Sequence, residues 1–246
     1  NYMAAQGLDT VQMASSCQFT DDSEYLIIPG DWVVDGRTTI KTFRISDQSL
    51  FVMIPGLPST SHTSFYQDLQ EGANKRLITL SESSPDVYEI YSMNLDGTDL
   101  RKISATPYPG GQVNANYGTP VKIMDDASRT IVYTGLIEAL GKWDLFAVKW
   151  DGTQARKLIN LSSYADIYDT YQVPGVERVF FRSDEGRDGV LSLYSVKPDG
   201  TGLKNHTPGL KGATGAWGSI TASSTHVFFN SDAYNSQILE IFADPL

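Results

Sequence analysis

Carboxylates dominate the side chains that could do chemistry in this 246-residue chain, which carries 29 Asp and Glu against 19 Lys and Arg. Two of them flanking one glycosidic bond, about 5–5.5 Å apart for retention or roughly 6.5–9.5 Å for inversion, would supply the acid and base of a glycoside-cleaving site. The acids gather in short polar stretches between apolar runs: Asp31 and Asp35, Glu82 and Asp86, Glu138, Asp184, Glu185 and Asp188, and Asp232, with Asp166 and Asp169 beside an apolar segment. Asp169 is the best single candidate, because the strand reading below points it toward a central funnel. Solvated β-turns use the same residue types, and none of these acids sits in a catalytic motif.

Other chemistries find less support. His62, His206 and His226 occupy unrelated positions, and no strained Gly-x-Ser-x-Gly turn supplies an activated serine. Neither C-x-x-C nor H-E-x-x-H spacing occurs, so no metal and no cofactor is expected. Asp184-Glu-Gly-Arg-Asp188-Gly189 fails as a helix-loop-helix calcium loop: Gly186 takes the second ligand place and Ser195 the last. The single cysteine, Cys17, excludes an internal disulfide and reads as a small buried hydrophobe. Pro109-Gly-Gly111 is a turn, not a phosphate loop.

The elements that must position these residues repeat. YEIYSMNLDGTDLRKIS (88–104), WDLFAVKWDGTQARKLI (143–159) and LSLYSVKPDGTGLKNHT (191–207) each read as strand, Asp-Gly turn, strand. Fainter copies at 40–54 and 237–246 place anchoring aspartates at 47, 96, 151, 199 and 244. Asp-Gly at 96–97, 151–152 and 199–200 predicts two-residue hairpin turns of positive φ. In the hairpin, Ile90, Ser92 and Asn94 alternate with Tyr91, Met93 and Leu95, a strand with two unlike faces. Upstream of each hairpin lies an apolar run (25–28, 77–80, 131–133, 179–181, 227–229) that predicts a second strand buried on both faces. A further segment before it, ending near Gln18, Gln67, Ile123, Gln172 or Ile220, predicts an innermost strand. Four-stranded units at a period of roughly 40–50 residues are the signature of a radial array of sheets. The expectation is an all-β, five-bladed β-propeller of four-stranded antiparallel blades in a single domain. Its repeats run approximately 10–58, 59–105, 106–160, 161–210 and 211–246. The fifth stops at its third strand, which predicts closure by residues 1–6, removing an exposed sheet edge.

On the face carrying the loops between blades and between second and third strands lie Trp32, Tyr88, Trp143, Tyr164 and Tyr234, with Tyr117, Tyr168 and Trp217 near innermost strands. Large amphipathic rings beside a few polar groups suit stacked sugars and protein hot spots alike, although many rings also fill the space between blades. Trp32, Trp143, Trp217, Tyr117, Tyr168 and Asp169 form the expected ligand-binding set.

The hairpin Tyr-Glu-Ile-Tyr-Ser-Met-Asn-Leu-Asp-Gly-Thr-Asp-Leu-Arg-Lys-Ile-Ser resembles the repeat of TolB-type, WD-like propellers, which runs aspartate, Ile-Tyr, a variable strand, Asp-Gly, Leu-Thr. Phe19-Thr-Asp-Asp-Ser is similar to that family's Ser-Pro-Asp-Gly turn, and Arg182 to Gly189 to its Ser-Asp-Arg-Asp-Gly turn. The resemblance covers nearly the whole chain and implies architecture, an exported (secreted or periplasmic) location and a role as an interaction platform or accessory domain. The first and fifth repeats depart from it in lacking Asp-Gly, and the family's rings commonly have six or seven blades.

The net charge of −10 with no Lys/Arg cluster excludes nucleic acid as a partner. No apolar run approaches the 18 or so residues of a membrane span. A start at Asn1 predicts a processed or trimmed chain. These observations favour a non-catalytic propeller that binds a protein partner or a glycan. The rivals are a glycoside hydrolase or lyase using funnel carboxylates and a structural subunit of a larger assembly.

Overall fold

The computed structural model describes residues 17–20, 22–30, 39–52, 63–71, 74–84, 87–106, 109–113, 121–123, 129–138, 141–162, 165–173, 175–185, 189–208, 216–223, 225–231 and 240–246. Every element among them is a strand, and every sheet is antiparallel. Two compact units are present, Asn1–Ile103 and Ser104–Leu246. In the first, β1 (Gln18–Phe19), β2 (Tyr25–Gly30), β3 (Thr39–Arg44) and β4 (Leu50–Val52) pair in that order, as do β5 (Thr63–Glu71), β6 (Asn74–Ser84), β7 (Val87–Asn94) and β8 (Arg101–Lys102). In the second, β9 (Val121–Ile123), β10 (Thr130–Gly135), β11 (Asp144–Lys149) and β12 (Arg156–Lys157) form the third sheet. The fourth comprises β13 (Ile167–Gln172), β14 (Val179–Ser183), β15 (Ser192–Val196) and β16 (Lys204–Asn205). A three-stranded fifth follows, β17 (Ala216–Ala222), β18 (His226–Ser231) and β19 (Glu240–Pro245). The strand order matches the repeat reading, with three strands in the fifth sheet among the described residues. Pairing of residues 1–6 lies outside the described residues.

The apolar runs explain how the sheets are stacked. β10 is buried along its whole length, and in β14 Phe180 and Phe181 are both fully buried though they point to opposite faces. Val179 and Phe181 meet Val132, Leu145 and Ala147 of the third sheet, whereas Phe180 meets Val227 and Phe229 of the fifth. In the first unit Ile27 and Ile40 pack likewise on Leu77, Tyr91 and Met93. Each fully buried ring contributes about 1.5–3 kcal/mol. Opposed rings on second and third strands recur as stacked pairs, Tyr133–Phe146, Phe181–Tyr194 and Phe229–Phe242, with centroids 5.7, 5.5 and 5.7 Å apart.

β7 has the two unlike faces that its alternation implies, although Glu89 to Met93 are all buried: Ser92 accepts the Arg76 Nε–H at 2.7 Å. Two expectations need correction. β18 is not buried on both faces, since Phe228 is 37% exposed while Val227 and Phe229 are buried. The Asp-Gly turns hold three residues, not two. Gly97, Gly152 and Gly200 donate to the carbonyls of Asn94, Lys149 and Lys197, whose own N–H groups donate to Thr98, Thr153 and Thr201. The turn is thus type I followed by a left-handed glycine, with φ of 78°, 84° and 87°, and the aspartates keep negative φ. Each aspartate instead accepts from both the N–H and hydroxyl of the threonine two residues on. Those hydroxyl donors hold Asp151 and Asp199 below the usual carboxylate range.

After the threonine the chain turns left-handed again, at Asp99, Gln154 and Gly202 with φ of 52°, 55° and 65°. Gln154→Gly, copying the fourth sheet, is expected to stabilise by about 0.5–1 kcal/mol, and Gly152→Val to cost about 1–2 kcal/mol, both read from chemical denaturation. In the second sheet Thr79, opposite Tyr91, stands where the aromatic pairs put Tyr133 and Phe181, and its fully buried hydroxyl meets no hydrogen-bond partner among the described residues. Thr79→Val is expected to raise stability by about 1 kcal/mol in the same measurement.

Candidate functional site

The ends of β10, β11 and β14 and the segment that leads from β12 into β13 meet at one end of the third and fourth sheets. Here the acids singled out in the sequence are spent on the backbone. Asp184, 3% exposed, accepts the N–H of Asp166 at 2.9 Å on one oxygen and that of Gly189 at 3.3 Å on the other. Asp166 accepts the Trp143 N–H at 2.7 Å, and the Trp143 carbonyl receives the Ile167 N–H at 3.1 Å. Glu185 takes both the N–H and the hydroxyl of Ser162, at 2.7 and 2.8 Å. Burial, aided by the charges of Asp184 and Asp144, pushes the Asp166 carboxyl up. These contacts tie the start of the fourth sheet's innermost strand to the preceding sheet, which is structural work.

Asp144 was not among the sequence candidates. It opens β11 at 1% exposure, with Oδ2 receiving Lys157 Nζ at 2.9 Å, and Lys157 also reaches Glu138 at 2.8 Å. A signal for it does exist in the repeat: Glu89 holds the same place in the second sheet and receives Lys102 Nζ at 2.8 Å. Both acids face a lysine on their own sheet's fourth strand, an ion pair within the sheet.

Asp169 is positioned by β13 but is not available as a base. Arg182, directly across on β14, donates Nε to both carboxylate oxygens at 2.8 Å and Nη2 to Oδ2, while the Tyr171 hydroxyl donates to Oδ2 at 2.9 Å. Burial and the Asp169 charge push Tyr171 up to about 12. Between Ile167 and Asp169 the pairing of β13 with β14 slips by one residue, and the extra residue is Tyr168. Such a bulge re-aims a side chain. Tyr168 is 40% exposed, with Ile167 buried before it.

The other expected ligand residues are less united. Trp143 is partly buried and packs against the core shared by the third and fourth sheets. Trp217 pairs with Asn230 in β17. Trp32 and Tyr117 lie outside the described residues, as do His62, Tyr164, Tyr234, Asp31, Asp35, Asp86, Asp188 and Asp232. Of the six, the structure describes Trp143, Tyr168, Asp169 and Trp217, and only Tyr168 and Asp169 are neighbours, adjacent on β13. Cys17 is half-buried, and burial pushes its thiol up.

A Ser-His-Asp arrangement that no sequence motif announced is present elsewhere. Ser195 Oγ lies 2.7 Å from His206 Nε2, and Asp244 Oδ2 lies 2.7 Å from Nδ1. These are the distances of a hydrolytic triad. Ser195 is fully buried in mid-strand and its oxygen already accepts the Arg178 Nε–H at 2.8 Å, so a carbonyl has no approach to it. The trio is a structural contact between the fourth and fifth sheets.

No family model matches the sequence, and no curated protein matches it. Among solved structures the fold is similar to that of Porphyromonas gingivalis dipeptidyl peptidase 4, at a TM-score of 0.62 and 11% identity over 87% of this chain and 33% of that one. It is also similar to oligogalacturonate lyase from Vibrio parahaemolyticus, at 0.55 and 11% over 96% and 66%. A protein assigned as TolB from Agrobacterium tumefaciens matches at 0.51 and 14% over 94% and 79%. The chain spans about a third of the peptidase and just under two thirds of the lyase. At these identities the likeness shows a propeller-type fold. No helix among the described residues is long and apolar enough to cross a membrane.

Asp169→Asn removes the carboxylate charge that the Arg182 guanidinium, 15% exposed, holds. It is expected to cost about 2–4 kcal/mol in chemical denaturation, and the Asp169→Leu, Arg182→Met double change to recover more than half of that.

Proposed function

We propose that this chain is a non-catalytic, five-bladed binding propeller that engages a protein partner or a glycan through the loop end of its sheets. The observation that carries the reading is the contrast between two neighbours on β13. Asp169, the acid best placed for catalysis, is consumed by Arg182 and Tyr171, whereas Tyr168 beside it is turned outward by a bulge. An outward aromatic on a rigid strand is what a contact surface uses, and a general acid or base needs an unspent carboxyl. The likeness to the TolB-assigned structure, which covers 79% of that chain, supports a platform role and an exported location. Closure of the ring by residues 1–6 belongs to the same proposal.

A carbohydrate-cleaving role is the rival, supported by the likeness to oligogalacturonate lyase. Titrating the protein with a panel of plant and bacterial polysaccharides, and assaying released reducing ends and unsaturated products, separates the two. A glycan binder is expected to bind at least one polysaccharide without release, and Tyr168→Ala to weaken that binding roughly tenfold or more while unfolding stays unchanged. If no polysaccharide binds, the protein arm is expected to succeed: affinity capture retains a partner that Tyr168→Ala loses. Sustained release abolished by Asp169→Asn would overturn the proposal.

A further inference from the structure

We propose that the seam between the fourth and fifth sheets is an acid-sensitive latch keyed by His206, closed while the imidazole is neutral and loosened when it takes a second proton. The hydrogen-bond directions in the seam are forced from its two charged ends. The Asp244 carboxylate only accepts, so His206 must carry its proton on Nδ1 to make the 2.7 Å contact. Nε2 is then a lone pair and receives the Ser195 hydroxyl proton at 2.7 Å. Ser195 Oγ, its own proton committed, accepts Arg178 Nε–H at 2.8 Å. The chain of donors runs Arg178 to Ser195 to His206 to Asp244, from the residue before β14 across the fourth sheet to β19 of the fifth, with each link fixing the next.

A proton added at Nε2 reverses one link and strands another. Ser195 Oγ would face two N–H donors, and its hydroxyl proton would have to find a new acceptor where the residue is fully buried. Charge does not rescue the arrangement. The groups facing His206 are Asp244, Lys204 and Arg178, with the Phe180 ring 5.8 Å away. Lys204 Nζ already sits 2.9 Å from the same Asp244 oxygen, and Arg178 flanks the serine on the other side. An imidazolium would be a third cation beside one carboxylate.

Burial, the leading cause, holds His206 below the ordinary imidazole value in spite of Asp244, consistent with this geometry. The folded state thus favours neutral His206. Its contribution to stability is complete above the unfolded value near 6.5 and is lost as pH falls from there through the folded value. The same seam holds the Phe180, Leu193, Val227 and Phe229 contacts, so weakening it loosens the fifth sheet. His226, exposed and held by the Thr225 hydroxyl at 2.9 Å, lies outside the seam and serves as an internal control.

Hydrogen exchange at pH 7.5 and pH 5.0, corrected for intrinsic rates, tests the latch. Protection of β18 and β19 is expected to fall at least about tenfold more than that of β10 and β11 on acidification, and this difference is expected to vanish in His206→Gln. Equal changes in both regions, or a difference that persists in His206→Gln, would overturn the proposal. Long-range proton–nitrogen spectra of the unmodified protein give a second reading if that variant fails to fold. An Nδ1–H tautomer that titrates below 6.5 supports the latch, and an Nε2–H tautomer or titration at or above 6.5 overturns it.

Discussion

The constraint from which the structure follows is that its middle strands, β18 excepted, bury most of both faces. A strand such as β10, with no exposed residue along its length, satisfies its backbone inside the sheet but leaves two apolar surfaces that water must not reach. Phe180 and Phe181 show it at the scale of two residues: one ring is covered by the fifth sheet and the next by the third. The repeated unit thus lets successive sheets of the second unit cover one another.

Repetition also shows which details matter. Arg76 bridges β6 to Ser92 and to the carbonyl of left-handed Asp99, and Arg178 bridges Ser195 and the carbonyl of left-handed Gly202 in the same way. The third sheet has Thr130 and Ala147 at these places, so guanidinium and serine are absent together. A buried guanidinium requires its acceptors, and removing both partners is cheaper than stranding one. In the fourth sheet the clasp acquires a second task, because Ser195 there also meets His206 and through it Asp244. A residue pair that closes one sheet has thereby become the first link of a contact to the next.

The same economy governs the loop end. Asp184, Asp166 and Glu185 hold four backbone N–H groups, those of Asp166, Gly189, Trp143 and Ser162, where the third and fourth sheets meet. Acidity at this end is therefore mainly architecture. A propeller-type fold shared with peptidases and lyases is compatible with either chemistry or recognition, which is why the argument for binding rests on Asp169 and Tyr168 and not on the fold.

The repeat, the strand order within each sheet and the place of the left-handed glycines were all legible in the sequence, because period-two apolarity and turn chemistry act within a few residues of themselves. The turn is longer by one residue than Asp-Gly implies: Asp96 keeps negative φ with its side chain accepting from Thr98, and only Gly97 takes the left-handed conformation, where it meets no steric penalty. What the tertiary structure alone decided are pairings between residues far apart in the chain. Arg182 neutralises Asp169 because of the register of β13 on β14, and Tyr168 is exposed because that register slips. Ser195, His206 and Asp244 lie 11 and 38 residues apart and meet only because two sheets stack. Local preferences specify each strand and turn. They carry no information about which side chains the stacking of one sheet on another will bring within hydrogen-bonding reach, and that stacking is where the chemistry of this protein is set.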